Sequence, residues 1–449
     1  MFKEEKTLCH TALQTALKVG AQKARINFVK SSMDLVNTLD GEVDKLTRCL
    51  DSSMNIILFV DGKFGGFSTN KLSENALESF ILRAVDTVRM LAPDDARDLP
   101  ARERQIQGSL NGRELGLYDN YYEKICADER RDLALNAAVW PSKGKAWKLI
   151  SEEGEYSDSL DFSYVIDSGG LEALHCETRF SYGVEITIED FKGRKYSGYW
   201  WDSSPFLSEL KSAGIGGKAL EMAIGQIGAK SIKSGKYNMV VDREVSSKLF
   251  SPILAALNGY SIQQGNSFLM DAVGKKVFSE GLTVMDCPHI KGQNGSRLFD
   301  SEGVATREHA IIEKGVVKEF FLNSYTANKL GLSPTQEDAI RPKLMPYAPD
   351  SKKTLNTLGR DDLMHLCGKG ILVNYFNGGN SNTATGDFSY GIEGFYFEDG
   401  KPVKPVSGML VTGNFLTLWL DLLAVAADAR PCREKLIPSL AFKDVDFSG

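Results

Sequence analysis

Between Glu5 and Gly20, the apolar residues Leu8, Ala12, Leu13, Ala16 and Leu17 recur at the spacing of one helix face. The period then shortens. Asn55-Ile56-Ile57-Leu58-Phe59-Val60 is a short β-prone run, Asp61-Gly62 closes it, and Phe64 to Thr69 returns as the partner strand of a hairpin. Ser73 predicts the N-cap of a helix whose Leu77, Ile81, Ala84 and Val88 share one face, and Pro93 marks its end. Residues 92–120 are polar, carry the run Asp94-Asp95-Ala96-Arg97-Asp98 and read as a connection.

A helix is predicted over Arg130 to Val139, followed by a strand-rich stretch. Leu171 to Trp201 alternates through Leu174, Cys176, Phe180, Val184, Ile186 and Ile188, with a turn at Gly193. A long helix is predicted from Leu207 to Lys230, and Gly235 introduces a strand, Tyr237 to Val241. Further hairpins are predicted at Lys314-Gly315 and Asp399-Gly400, each flanked by β-rich runs. Phe415 to Ala427 is 13 residues long and broken by Asp421. A membrane span needs ~20 apolar residues, so this stretch predicts a core helix. Strands arriving in hairpins with helices between blocks define an α+β class with antiparallel sheets. The expected portions are an N-terminal α/β domain over 1–95, a middle α/β domain over 120–230 and a sheet-rich C-terminal domain over 235–449. No fixed-period repeat of the solenoid kind is present.

Composition narrows the function classes. Over 449 residues, 42% hydrophobic and 25% charged positions exclude wholesale disorder. The net charge of −6 is a poor footprint for a phosphate backbone, so direct nucleic-acid binding is disfavoured. Met1-Phe2-Lys3-Glu4-Glu5-Lys6 has no apolar stretch behind it of the kind a signal peptide carries. The seven Cys lie singly, without a Cys-x-x-Cys pair, and fit reduced thiols. The expectation is a soluble, cytoplasmic protein.

A search for chemistry finds little. No two of the five His are closer than 20 residues, so no helix turn presents two imidazoles to a metal. Asp387-Phe388-Ser389-Tyr390-Gly391 approaches a nucleophile elbow, but Asp387 replaces the first Gly and no helix pattern follows. Asn377-Gly378-Gly379-Asn380 lacks the Gly-Lys-Ser/Thr of a phosphate loop. Tyr199-Trp200-Trp201 reads first as buried sheet aromatics and second as a recognition platform.

Three segments stand out together. The first is Phe299-Asp300-Ser301-Glu302-Gly303-Val304-Ala305-Thr306, followed by Gly315-Val316-Val317-Lys318 and Asn323-Ser324-Tyr325-Thr326-Ala327. The second is Thr383-Ala384-Thr385-Gly386-Asp387-Phe388-Ser389 with Gly394 and the Asp399-Gly400 hairpin. The third is the hairpin from Phe59 to Thr69 with its following helix. Together they resemble one family, the TldD/PmbA proteins, once described as modulators of DNA gyrase and regarded as metallopeptidases, and the resemblance is collinear over nearly the whole chain.

The resemblance implies a metal site in one arm of the family, the TldD arm. There, His-Glu-x-x-x-His lies on a helix after a strand, and a Cys nearer the C-terminus completes the ligands. Laid on this chain without gaps, Ser251 and Ala256 stand at the His positions and Pro252 at the Glu position, and no His occurs between His175 and His289. Cys432 matches the third ligand in place, but one thiolate without two imidazoles holds zinc poorly. The resemblance therefore implies the PmbA (TldE) arm, a chain without catalytic residues or a cofactor of its own. Its expected partner is a TldD-type subunit that holds zinc and acts on unfolded peptides; in isolation a homodimer is expected. Two alternatives stand beside this reading. One is a freestanding hydrolase using Ser389, Asp387 or Cys432, and the other is a protein-binding modulator of DNA gyrase.

Overall fold

The structure, a computed structural model, describes residues 2–108, 110–135, 143–349 and 351–449. The chain opens with helix α1 (Lys3–Lys18), strands β1 (Lys23–Leu39), β2 (Glu42–Val60) and β3 (Lys63–Thr69), and helix α2 (Glu74–Arg89). Asp40-Gly41 and Asp61-Gly62 turn the two hairpins with positive φ at both residues, the conformation that matches strand twist and that Asp and Gly tolerate. Leu77, Ile81, Ala84 and Val88 of α2 are all buried, sharing a core with Cys9, Ala12 and Ala16 of α1 and Ile26, Phe28, Ile56 and Leu58 of the sheet. Ser73 takes the N-cap position with extended backbone, though its hydroxyl makes no capping bond.

After the connection come α3 (Ala127–Leu135), β4 (Trp147–Asp167), β5 (Glu172–Asp190), β6 (Lys195–Ser204) and α4 (Ile215–Gly225). β1 pairs antiparallel with β4, so the first and second portions are two halves of one sheet, in the order β3-β2-β1-β4-β5-β6. Its strands outrun the apolar runs that signal them. Asn55 to Val60 is only the end of the 19-residue β2, whose stretch Glu42–Ser53 lies beyond β3 and is largely exposed. α3 and α4 cover the same face further along, around Val36, Tyr156, Ile186, Ala219 and Ala223.

One predicted helix of this portion changes form. The stretch from Leu207 to Lys230 is a 3-10 turn at Leu207–Glu209, a loop, and then only α4. Gly214 and Gly228, both in left-handed backbone, set the limits of the helix. The helix expected over Arg130 to Val139 is α3, and residues 136–139 lie outside those described.

The C-terminal portion begins with β7 (Gly235–Val241), α5 (Ser247–Leu257) and α6 (Gly259–Gln263). A small sheet, β10-β9-β8-β11, is built from β8 (Val284–Asp286), β9 (His309–Glu313), β10 (Val316–Val317) and β11 (Pro342–Leu344), with α7 (Ser324–Leu330) inserted. Then follow α8 (Arg360–Cys367), β12 (Lys369–Ser381), β13 (Asp387–Glu398), β14 (Lys401–Asn414), α9 (Phe415–Leu420), β15 (Leu422–Val425) and β16 (Leu440–Ser448). These strands form a sheet ordered β14-β13-β12-β7-β16-β15, and an added β14–β16 pairing closes β14, β13, β12, β7 and β16 into a ring. Only β12–β7 is parallel among its pairs. The predicted core helix Phe415 to Ala427 is thus corrected. It stops at Asp421, and Leu422–Val425 becomes a strand because β16 offers it an edge through Leu440 and Phe442.

The hairpins at Lys314-Gly315 and Asp399-Gly400 form as predicted, again with positive φ at both residues. Their glycines differ from Gly62 in surroundings. A Cβ on Gly315 would meet the Phe278 carbonyl oxygen at 2.2 Å, whereas one on Gly62 would meet nothing within 4 Å. Gly62→Ala is therefore expected to cost about 1–2 kcal/mol, the left-handed penalty alone. Gly315→Ala adds a backbone collision and is expected to cost more than about 4 kcal/mol. Urea unfolding of both variants checks this ranking, and equal costs would contradict it.

Candidate functional site

The strand–helix unit that the resemblance marks out is β7 followed by α5. Between them, the Asp242 carbonyl accepts the N–H groups of Val245 and Ser246, and the Asp242 carboxylate pairs with Arg360 at 2.8 Å. The buried Trp419 donates its indole N–H to the Leu249 carbonyl at 3.3 Å and packs edge-on against Phe250. Leu249, Phe250, Ile253, Ala256 and Leu257 face the core.

This seating separates the residues at the motif positions. Ser251 and Pro252 line a cavity of about 580 Å³ together with Lys248, Tyr375, Phe376 and Tyr390. Ala256 does not: it is fully buried in the apolar core, and Ala255 lines the cavity instead. Ser251 Oγ accepts a hydrogen bond from Lys435 Nζ at 3.0 Å. Lys248 adds a second amino group, 4.9 Å from the centre of the Tyr390 ring. A hydroxyl bound to a cationic side chain, a proline and a methyl group are not a ligand set for a divalent ion, so the residues present do not fit zinc.

A larger cavity, about 900 Å³, lies where β6 meets the segments 291–294 and 429–432. Two buried arginines brace its wall segments. Arg430 is buried with its guanidinium 5.0 Å from the Trp200 ring and 4.7 Å from the Trp201 ring. It pairs with Asp202 at 3.0 Å and Glu244 at 3.1 Å, and donates to the Trp201 carbonyl. Arg341, fully buried, donates to Gln293 Oε1 at 2.7 Å, to the Pro431 carbonyl at 2.9 Å and to the Asn294 carbonyl, tying the two wall segments together. Burial pulls its guanidinium down to about 10.

Tyr199-Trp200-Trp201 corrects the buried-aromatic expectation. β6 is an edge strand, Tyr199 is 46% exposed, and Trp200 packs in part against the apolar core while guanidinium groups lie near both the Trp200 and the Trp201 rings. Cys432 lies in the same cavity wall, and burial raises its thiol above the usual range, away from the thiolate form.

The remaining sequence candidates stand apart from both cavities' chemistry. Ser389 sits within β13, opposite Asn380 and Thr412, with no strand-to-helix elbow. Asp387 accepts from Asn414 at 2.9 Å and Thr385 at 2.7 Å, which holds its carboxyl below the usual range as a turn staple. Four of the His bind separate partners: His10 with Tyr164, His175 with Glu177, His289 with Thr306 and His309 with Glu319.

The motif Phe299 to Thr306 also acts structurally. Asp300 accepts the N–H groups of Glu302 and Val304 at 3.0 Å each, and Glu302 accepts both the N–H and the hydroxyl of Ser324 at 2.9 Å, starting α7. Arg25 of β1 reaches Glu302 at 4.0 Å, joining the first sheet to the C-terminal portion.

These features agree with what comparison with known proteins finds. Residues 121–227 match the PmbA/TldA metallopeptidase central domain, and residues 234–449 match the PmbA/TldA metallopeptidase C-terminal domain. A Bacteroides thetaiotaomicron protein named for modulation of DNA gyrase superposes with a TM-score of 0.93 at 39% identity, over 100% of both chains. The fold is also that of TldE from Thermococcus kodakarensis, with a TM-score of 0.82 at 19% identity, over 98% of this chain and 100% of that one. Metalloprotease PmbA of Escherichia coli O157:H7 is 24% identical over 445 residues, 97% of this chain and 96% of its own. Fold and sequence thus define an α+β chain built like the PmbA and TldE proteins. It belongs to the PmbA/TldD family. No helix among the described residues is long and apolar enough to cross a membrane.

Asp300 gives this site a pH signature. Its burial, with Glu337 and Glu302 nearby, pushes its carboxyl up to about 7. The fold favours the protonated form, so the stability Asp300 contributes is present below about pH 4 and is lost as pH rises towards 7. Asp300→Asn keeps an oxygen acceptor but cannot ionise. Its melting temperature is expected to gain on that of the unsubstituted protein as pH rises from 4 to 7, with a flat difference above. Thermal melts across that range check this, and a constant difference would contradict it.

Proposed function

We propose that this chain is the non-catalytic subunit of a TldD/TldE-type metallopeptidase that works in the cytoplasm on unfolded peptides. In this reading the zinc and its catalytic base belong to a TldD-type partner, and this chain shapes the peptide-holding surface and stabilises that partner. The observation that carries the reading is the Lys435–Ser251 contact. It sets a lysine ammonium 3.0 Å from the side chain that stands at the motif's first His position, and like charge opposes a dication there. Pro252 supports it from the catalytic side, since a pyrrolidine ring takes no proton from a bound water. The similarity to the metalloprotease PmbA and TldE chains supports the assignment to a peptidase complex.

The test is co-expression with a chain of this fold that carries His-Glu-x-x-x-His, followed by size exclusion and a peptidase assay. The expected result is a heterodimer that cleaves unfolded peptides and is inhibited by chelators, while this chain alone forms a homodimer without activity. A species that stays monomeric by light scattering even with the partner, or chelator-sensitive cleavage by this chain alone, would contradict the proposal.

A further inference from the structure

We infer that the 900 Å³ cavity between β6 and the segments 291–294 and 429–432 binds the terminal carboxylate of an extended peptide. The inference rests on the peptide-handling reading and gives it a recognition element.

The charge of the wall is the first observation. Lys211, Lys218, Arg243, Lys291 and Arg430 line the cavity. The lining carboxylates are Asp202 and Glu209. Asp202 is committed to Arg430 and to the Lys211 N–H, and Arg430 is further held by Glu244. Among the described residues no carboxylate lies within 4 Å of the amino groups of Lys211, Lys218 or Lys291. Glu209 holds only the Ser204 hydroxyl, so five lining cations stand against two lining carboxylates, an excess of positive charge on one concave wall of a chain of net charge −6.

Two local features point the same way. α4 starts at this wall, with Ala213, Ile215 and Lys218 lining it, so the positive end of an 11-residue helix adds to the field. Ser203 also lines the cavity, is 7% exposed, and its Oγ has no hydrogen-bond partner. A buried hydroxyl without an acceptor is costly, and a carboxylate oxygen would satisfy it.

The apolar part of the wall selects the kind of anion. Phe206, Leu210, Ile215 and the Trp200 indole stand beside the lysines. A carboxylate on a residue with a side chain uses both surfaces, whereas a bare phosphate ion leaves the apolar one uncovered.

The test is calorimetric titration of the full-length chain with an unstructured ten-residue peptide carrying a free C-terminal carboxylate. The same peptide as a C-terminal amide, and inorganic phosphate, are the comparison probes. The acid form is expected to bind at least tenfold more tightly than the amide at low salt, with the difference shrinking as salt rises. The exposed triple substitution Lys211→Gln, Lys218→Gln and Lys291→Gln should abolish the difference while leaving the melting temperature unchanged, and Ser203→Ala should reduce it. Equal binding of acid and amide would overturn the inference, as would a triple variant that still discriminates. Phosphate binding without acid–amide discrimination would overturn it too, by assigning the cavity to a free oxyanion. An active heterodimer together with equal acid and amide binding would sink this inference alone, and acid-selective binding without any active heterodimer would sink the peptidase reading alone.

Discussion

Both cavities depend on one buried guanidinium. Arg430 lies between Trp200 and Trp201, pairs with Asp202 of β6 and reaches Glu244 in the loop that starts α5. It therefore joins three parts of the chain: the edge of the first sheet, the helix at the motif position, and the strap that carries Lys435. A charge with this little solvent is tolerated only when it is paired and hydrogen-bonded, and removing one partner of such a pair costs about 3–5 kcal/mol. Arg341 serves the other side of the larger cavity in the same way, with carbonyl and amide oxygens in place of carboxylates. The cavities are openings between segments that these two arginines hold at fixed separation.

That dependence explains why the motifs carrying the family resemblance contain so little chemistry. Asp300 and Glu302 cap a turn and start α7, Gly386 accepts the Phe415 N–H, and Asp387 holds Asn414 and Thr385. These contacts close local turns or tie loops to helix starts. In a chain that reads Ser251 and Ala256 at the motif's His positions and Pro252 at its Glu position, these joints still hold the fold shared with the PmbA/TldD family.

What was legible in the amino-acid sequence was what local physics decides. Asp61-Gly62, Lys314-Gly315 and Asp399-Gly400 are turns because positive φ is a property of the residues themselves, and the α2 stripe is visible because one helix carries it. The β1–β4 pairing that merges two portions into one sheet is set by partners over a hundred residues apart, and no dipeptide announces it. Phe415 to Ala427 is apolar throughout, so its change from helix to strand follows from the free edge of β16 rather than from its own pattern. At the site, the absence of His and Glu on α5 was readable, but two features were not. Lys435 lies 184 residues from Ser251, and Ala255 rather than Ala256 faces the cavity because of how Trp419 and Phe250 seat the helix. The guanidinium groups beside the two half-buried tryptophans of β6 were not readable either, because Arg430 and Arg433 come from a segment far along the chain.

We propose that the Lys435 ammonium held at Ser251 stands in place of a metal beside α5. Calorimetric titration of zinc into the purified, metal-free, untagged chain tests it most directly. The account predicts no saturable one-to-one binding beyond the weak association expected of scattered surface groups, with the same result for Lys435→Met. One equivalent of zinc bound with nanomolar affinity, and lost when Cys432 is replaced by Ser, would contradict it.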